Sequence, residues 1–193
     1  MADSTSHAVV AVSLQVRAGR MDARVRRVAR ARGEALEAAL ARAIDVAALA
    51  HVEQLETRVL ADGTLATAYL GLLPADAAAP PDGARPTTAD ERELVAAAHA
   101  RLRAKLSYTN VGFALAPETF TISELRDVYV AALGHDVAAT NLQRVLLRRG
   151  VLERVDGRRA PGRSGGRPAA LFRFASRRLE ITDEFAALRP PHR

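Results

Sequence analysis

Residues 121–174 read TISELRDVYVAALGHDVAATNLQRVLLRRGVLERVDGRRAPGRSGGRPAALFRF, and the periodicity of this stretch decides the fold. Thr121 and Glu124 have the spacing of a capping box, so a helix starts after Thr121. Leu125, Val128, Tyr129, Ala132 and Leu133 then fall on one face, and Gly134 ends the run. After the short connector HDVAA comes a second helix, TNLQRVLLRRG, closed by another glycine. Leu142, Val145 and Leu146 point inward, while Asn141, Arg144 and Arg148 form a polar stripe at spacings of three and four. Two short helices with a tight connector, the second offering Asn and Arg outward, make the pattern of a helix-turn-helix. Residues 151–155 and 169–174 are strand-like and bracket DGRRAPGRSGGRP, a Gly- and Arg-rich tip that reads as a wing.

The outward chemistry suits nucleic acid. Arg can bridge guanine O6 and N7, and Asn can do the same at adenine N6 and N7. The residues expected to touch DNA are therefore Asn141, Arg144, Arg148 and Arg149 on the second helix, with Arg158, Arg159, Arg163 and Arg167 in the wing. Charge distribution agrees. Residues 1–92 carry 11 Arg and 12 Asp+Glu, whereas residues 93–193 carry 16 Arg, one Lys and 10 acids, so the net charges are −1 and +7. Between Arg144 and Arg178 there are 11 Arg against only Glu153 and Asp156, a density suited to phosphates. An ordinary solvated surface is the bland alternative, and it would win for a lone helix without the basic hairpin behind it.

Upstream, Thr88 and Glu91 form another capping box, with DERE at the front of the helix and RLRAK at its back to complement the dipole. Val95, Ala98, Leu102 and Leu106 are its expected buried stripe, and residues 111–115 read as a short extended piece. The Pro-rich stretch PADAAAPPDGARPTTADER, from Pro74, has no large apolar residue and reads as a linker. The expected organisation is a domain at 1–75, a linker at 76–92, a winged-helix domain at 93–178 and a tail at 179–193, with no internal repeat. In the first domain, VVAVSLQVR (9–17) reads as a strand. Residues 33–50 then form a helix with Leu36, Ala39, Leu40, Ala43, Ile44 and Ala47 on one face. EQLETRVL (53–60) and LATAYLGLL (65–73) form a hairpin about Asp62-Gly63. Residues 18–32 hold six Arg in 15 and receive no assignment.

Other chemistries are closed off by composition. The chain has no cysteine, which removes disulfides, thiol nucleophiles and thiolate metal sites. Its five histidines are scattered at 7, 51, 99, 135 and 192. No apolar run approaches a membrane span and the N-terminus lacks a signal-like pattern, so a soluble, cytoplasmic protein is expected, with no membrane role and no cofactor.

The helix GEALEAALARAIDVAAL (33–49) resembles a Nudix box, G-x5-E-x7-R-E-U-x-E-E-x-G-U. Arg42 matches the motif arginine and Ile44 the apolar position, but Ala43, Val46 and Ala47 stand at the three glutamate positions and Leu49 at the glycine. Without those carboxylates nothing holds magnesium or activates water. The segment before the helix also lacks the W-x-L-P-G-G stretch, so the domain looks shortened as well as degenerate. No catalysis is expected. The alternative is a divergent nucleotide-diphosphate hydrolase that recruits Glu34, Glu37 and Asp45 instead.

Over YTNVGFALAPETFTISELRDVYVAALGHDV (108–137) and the segment from Asn141 to Phe174, the chain resembles the Nudix-related transcriptional regulators of bacterial NAD metabolism, the NrtR type. HVEQLETRVL and LATAYLGLLPA resemble that family's Nudix-like strands. The resemblance implies an α+β chain: a small degenerate Nudix-like α/β domain followed by a winged helix-turn-helix domain. It also implies a homodimer on a palindromic site in double-stranded DNA and an ADP-ribose-type effector. Asn141, Arg144, Arg163 and Arg167 match family positions expected to touch DNA. Ala139, Thr140, Gln143 and Val145 stand where the family usually has Lys or Arg, which implies a changed operator or affinity.

Overall fold

The structure is a computed structural model in which residues 6–78, 83–159 and 168–183 are described. Ten elements follow in chain order: β1 (His7–Arg17), β2 (Arg20–Ala29), α1 (Leu36–Ala43), β3 (His51–Val59), β4 (Leu65–Leu73), α2 (Ala89–Tyr108), α3 (Ile122–Leu133), α4 (Ala139–Arg148), β5 (Leu152–Arg159) and β6 (Ala169–Phe174). The first four strands form one mixed sheet in the order β2-β1-β4-β3, with β1 and β4 parallel and the outer pairs antiparallel. β5 and β6 form a separate antiparallel hairpin. The class is α+β, as the sequence implies.

β1 is buried on both faces, which is why it reads as a nearly unbroken apolar run rather than an alternating one. Val10, Val12, Leu14 and Val16 join the main core with Leu94, Ala98, Leu102 and Leu106 of α2. Val9 and Ala11, on the opposite face, pack with Ala39, Leu40 and Ala43 of α1 and with Tyr69 of β4. The main core continues without a break through Phe113, Phe120 and Leu125 to Phe172 and Phe174 of the wing. No described helix is long and apolar enough to cross a membrane.

The structure departs from the sequence pattern at several points. The helix expected over 33–50 ends at Ala43, because the Asp45 carboxylate accepts the Ala47 N–H at 3.0 Å and caps a short 3-10 turn instead. Residues 18–32, unassigned from sequence, contain β2. A two-residue turn at Ala18 (φ 47°) and Gly19 (φ 71°) connects it to β1, the left-handed pair that a tight hairpin requires. Leu94 lies in the buried stripe of α2, where Val95 is only half-buried. Leu133 and Val145 are likewise half-buried rather than core. Residues 111–114 are a buried 3-10 turn, not an extended piece. Gly112 is required there: a Cβ at this position would lie 2.5 Å from the buried Tyr129 hydroxyl.

The ends of the Pro-rich stretch are bonded to the sheet. Gln15 Nε2 donates to the carbonyls of Pro74 and Ala77, both at 2.8 Å, and Ala84 exchanges two backbone hydrogen bonds with Val25.

Candidate nucleic-acid interface

The scaffold of the interface is set by α3. Thr121 accepts the Glu124 N–H and Glu124 returns a carboxylate to the Thr121 N–H at 2.8 Å, completing the capping box. Gly134, in the left-handed conformation (φ 76°), closes the helix. Phe120, fully buried, exchanges backbone hydrogen bonds of 2.9 and 2.8 Å with Phe172. Its ring also packs tilted against Phe174 with centroids 5.5 Å apart. The wing is thus joined to the entrance of α3. It is tied to α4 as well, since Val151 donates to the Leu146 carbonyl and Ala175 to that of Val151.

On α4, Leu142 and Leu146 are buried, and the opposite face exposes Asn141, Arg144 and Arg148 as the periodicity predicts. Arg144 donates to Asn141 Oδ1 at 2.8 Å, which couples two side chains suited to base edges. Arg148 has no hydrogen-bond or ion-pair partner among the described residues. Sequence reasoning did not single out Leu147, which is 42% exposed on this helix and offers the apolar contact a thymine methyl takes.

Arg149 departs from the DNA-contact set. It lies seven residues after Leu142 and three after Leu146, on the buried stripe, and that spacing was legible in the sequence. Its guanidinium donates to the Ser107 carbonyl at 2.8 Å and pairs with Asp183 at 3.0 Å, the two side chains being only 12% and 11% exposed. The tail that brings Asp183 there is itself fixed. Asn110, buried, bonds the Arg178 carbonyl and the Glu180 N–H, both at 2.8 Å.

In the wing, Arg158 is exposed and unpartnered among the described residues, as is Arg154, which the sequence-based set omits. Arg159 instead pairs with Glu124. Burial alone would raise the Glu124 carboxyl, but the Thr121 N–H and the Arg159 guanidinium outweigh it and hold the group below its ordinary value. Arg163 and Arg167 lie outside the described residues.

The alternative catalytic carboxylates do not converge. Both Glu34 oxygens are engaged by Arg42 at 2.9 Å, one of them also by the Ala31 N–H, while Asp45 caps its own turn and Glu37 is exposed. Among the described residues no group of three or more His, Asp or Glu is placed to hold a metal ion.

Residues 112–174 match the family described as the NrtR DNA-binding winged helix domain. The ADPR responsive transcriptional repressor NtrR of Acinetobacter baylyi is 37% identical over 86 residues, which are 45% of this chain and 33% of that protein. The match therefore spans about a third of this relative's length. Among solved structures, Shewanella oneidensis NrtR complexed with a 27mer DNA superimposes with a TM-score of 0.67 at 23% identity, covering 86% of this chain and 92% of that one. A MutT/nudix family protein from Enterococcus faecalis gives 0.65 at 15% identity, over 91% and 90% of the two chains. Residues 112–174 thus match the NrtR winged-helix family, and the chain as a whole shares the fold of the NrtR and MutT/nudix structures.

Proposed function

We propose that the protein is a DNA-binding transcriptional regulator whose Nudix-derived part is noncatalytic. The observation that carries this reading is the exposed stripe of Asn141, Arg144 and Arg148 on α4, backed by an arginine-bearing wing. α4 enters the major groove, with Asn141 and Arg144 reading base edges, Leu147 against a thymine methyl, and Arg148, Arg154 and Arg158 on phosphates. Arg163 and Arg167, which lie between β5 and β6 in the sequence, join the phosphate or minor-groove contacts in this reading. A homodimer on a palindromic operator doubles this surface, and the name of the Acinetobacter relative supports an ADP-ribose-type effector.

Selection of genomic fragments on purified protein, followed by a gel-shift titration with and without ADP-ribose, tests the reading. A single palindromic site whose occupancy responds to ADP-ribose is the expected result. Each phosphate contact adds roughly −0.9 to the slope of log K against log salt, so affinity falls steeply with salt. Salt-independent, sequence-blind binding would sink the reading.

A further inference from the structure

The arginine-rich segment that the sequence left unassigned lines a cavity of about 530 Å³ at the β1–β2 turn. Arg17, Arg20, Arg24 and Arg85 line it together with a single acidic residue, Asp22. Four positive charges less one negative leave a local excess of three. The carboxylate is already shared: Asp22 accepts from Arg24 Nε at 3.0 Å and lies 4.0 Å from Arg85. Arg17 donates to Gln15 Oε1 at 3.3 Å, and Arg20 has no partner among the described residues.

The cluster is assembled rather than incidental. Arg85 arrives from a distant part of the sequence because the paired bonds between Val25 and Ala84, at 2.8 and 3.0 Å, hold the returning chain against β2. Gln15 is 2% exposed, and its amide is fixed by the Pro74 and Ala77 carbonyls while its oxygen orients Arg17. Cations gathered along one cavity repel one another until an anion lies between them. The planar fork of arginine suits the paired oxygens of a phosphate.

We infer that this cavity is a binding site for a small phosphorylated ligand, one bearing a phosphate or diphosphate. Its volume lies within the roughly 300–1,000 Å³ of small-molecule sites. The site is separate from the surface under the altered Nudix-type helix. In the apolar cluster on that face the helix meets β1 at Val9 and Ala11, and Ala11 lies six residues or about 20 Å of strand from Arg17.

Calorimetric titration of the full-length protein with inorganic pyrophosphate tests the inference, with the Arg20→Ala/Arg85→Ala double variant as the comparison. Both side chains are exposed, so the variant keeps the wild-type melting temperature. The expected result is saturable one-to-one binding that weakens tenfold or more in the variant, while a gel shift shows DNA binding unchanged. Absence of saturable heat with the wild type, or equal affinity in the variant, overturns the inference. So does a variant that loses DNA affinity and salt slope when the wild type takes up no pyrophosphate, because the arginines then serve the DNA backbone. The gel shift without pyrophosphate reports on the DNA-binding reading independently.

Discussion

Two arginine-dense segments, β2 with its flanks and the run from α4 through the wing, look equivalent in the sequence and are used differently. In the first, Arg24 pairs with Asp22 and Arg27 with Asp62, and Arg30 donates to the Glu34 carbonyl, so part of its charge is answered within the sheet while Arg17 and Arg20 at the β1–β2 turn meet no carboxylate among the described residues. In the second, Arg144, Arg148, Arg154 and Arg158 face solvent with no carboxylate partner among the described residues. Density of positive charge is therefore a poor guide by itself. What distinguishes a partner-binding arginine is whether the fold brings it an acid.

The sharpest way to break this comparison lies inside the second segment, between two arginines five residues apart. Arg149→Ala removes the guanidinium that Asp183 faces in a nearly dry site. Breaking a fully buried pair costs about 3–5 kcal/mol, and here, with both groups slightly exposed, a loss of about 2–3 kcal/mol is expected as a lowered Tm. Arg144→Ala should leave Tm within about 0.5 kcal/mol equivalent and weaken operator binding by about 1–3 kcal/mol, with relaxed preference at one base pair. Chemical denaturation and gel shifts on the two variants separate the roles. If Arg149→Ala proves as stable as the wild type, the inward assignment fails.

The next effect, smaller, concerns phosphates. Arg158→Ala should lower affinity for all DNA sequences about equally and reduce the salt slope by roughly 1, whereas Arg159→Ala should do so less, since Glu124 already holds that guanidinium. Equal losses for the two would mean that the Glu124 pair opens on DNA.

The same contrast explains which parts were legible beforehand. α3 was readable because its capping box, apolar stripe and terminal glycine all agreed, and α4 because its apolar stripe and following glycine did, so that Asn141, Arg144 and Arg148 followed from spacing alone. β2 was not. Its alternation puts arginine where an inner strand would put valine, and its turn carries Ala18 instead of the Asn or Gly that signals a tight hairpin. The pairing of Arg159 with Glu124 spans 35 residues and the tail's attachment to Asn110 spans 70, contacts that no local pattern encodes. α1 was overextended because Asp45 fits a helical stripe as well as a cap, and only the fold chooses between them.

Ala18 offers a modest test of that turn. An alanine at φ 47° bears part of the roughly 1–2 kcal/mol that the left-handed region costs a residue with a Cβ, and asparagine tolerates the region better. Ala18→Asn should stabilise the protein by about 0.5 kcal/mol, measured as a rise in denaturation midpoint at constant slope. A destabilised variant would place the hairpin in another turn geometry.

The smallest expected effect probes the answered charges of the first segment at low pH. The Arg27 guanidinium, with help from the Thr64 N–H, pushes the Asp62 carboxyl down from 3.8 to about 2. A carboxyl depressed in the folded state adds stability above its unfolded value, and that stability is lost as pH falls from 3.8 towards 2. Both side chains are substantially exposed, so solvent and salt screen the pair and its contribution is small. Asp62→Asn should therefore lower Tm slightly at neutral pH and flatten its decline across that acid window, bringing the two proteins together near pH 2. Parallel Tm curves for variant and wild type across the window would show that Arg27 is not held by Asp62, and would place it with the unanswered arginines of the winged helix.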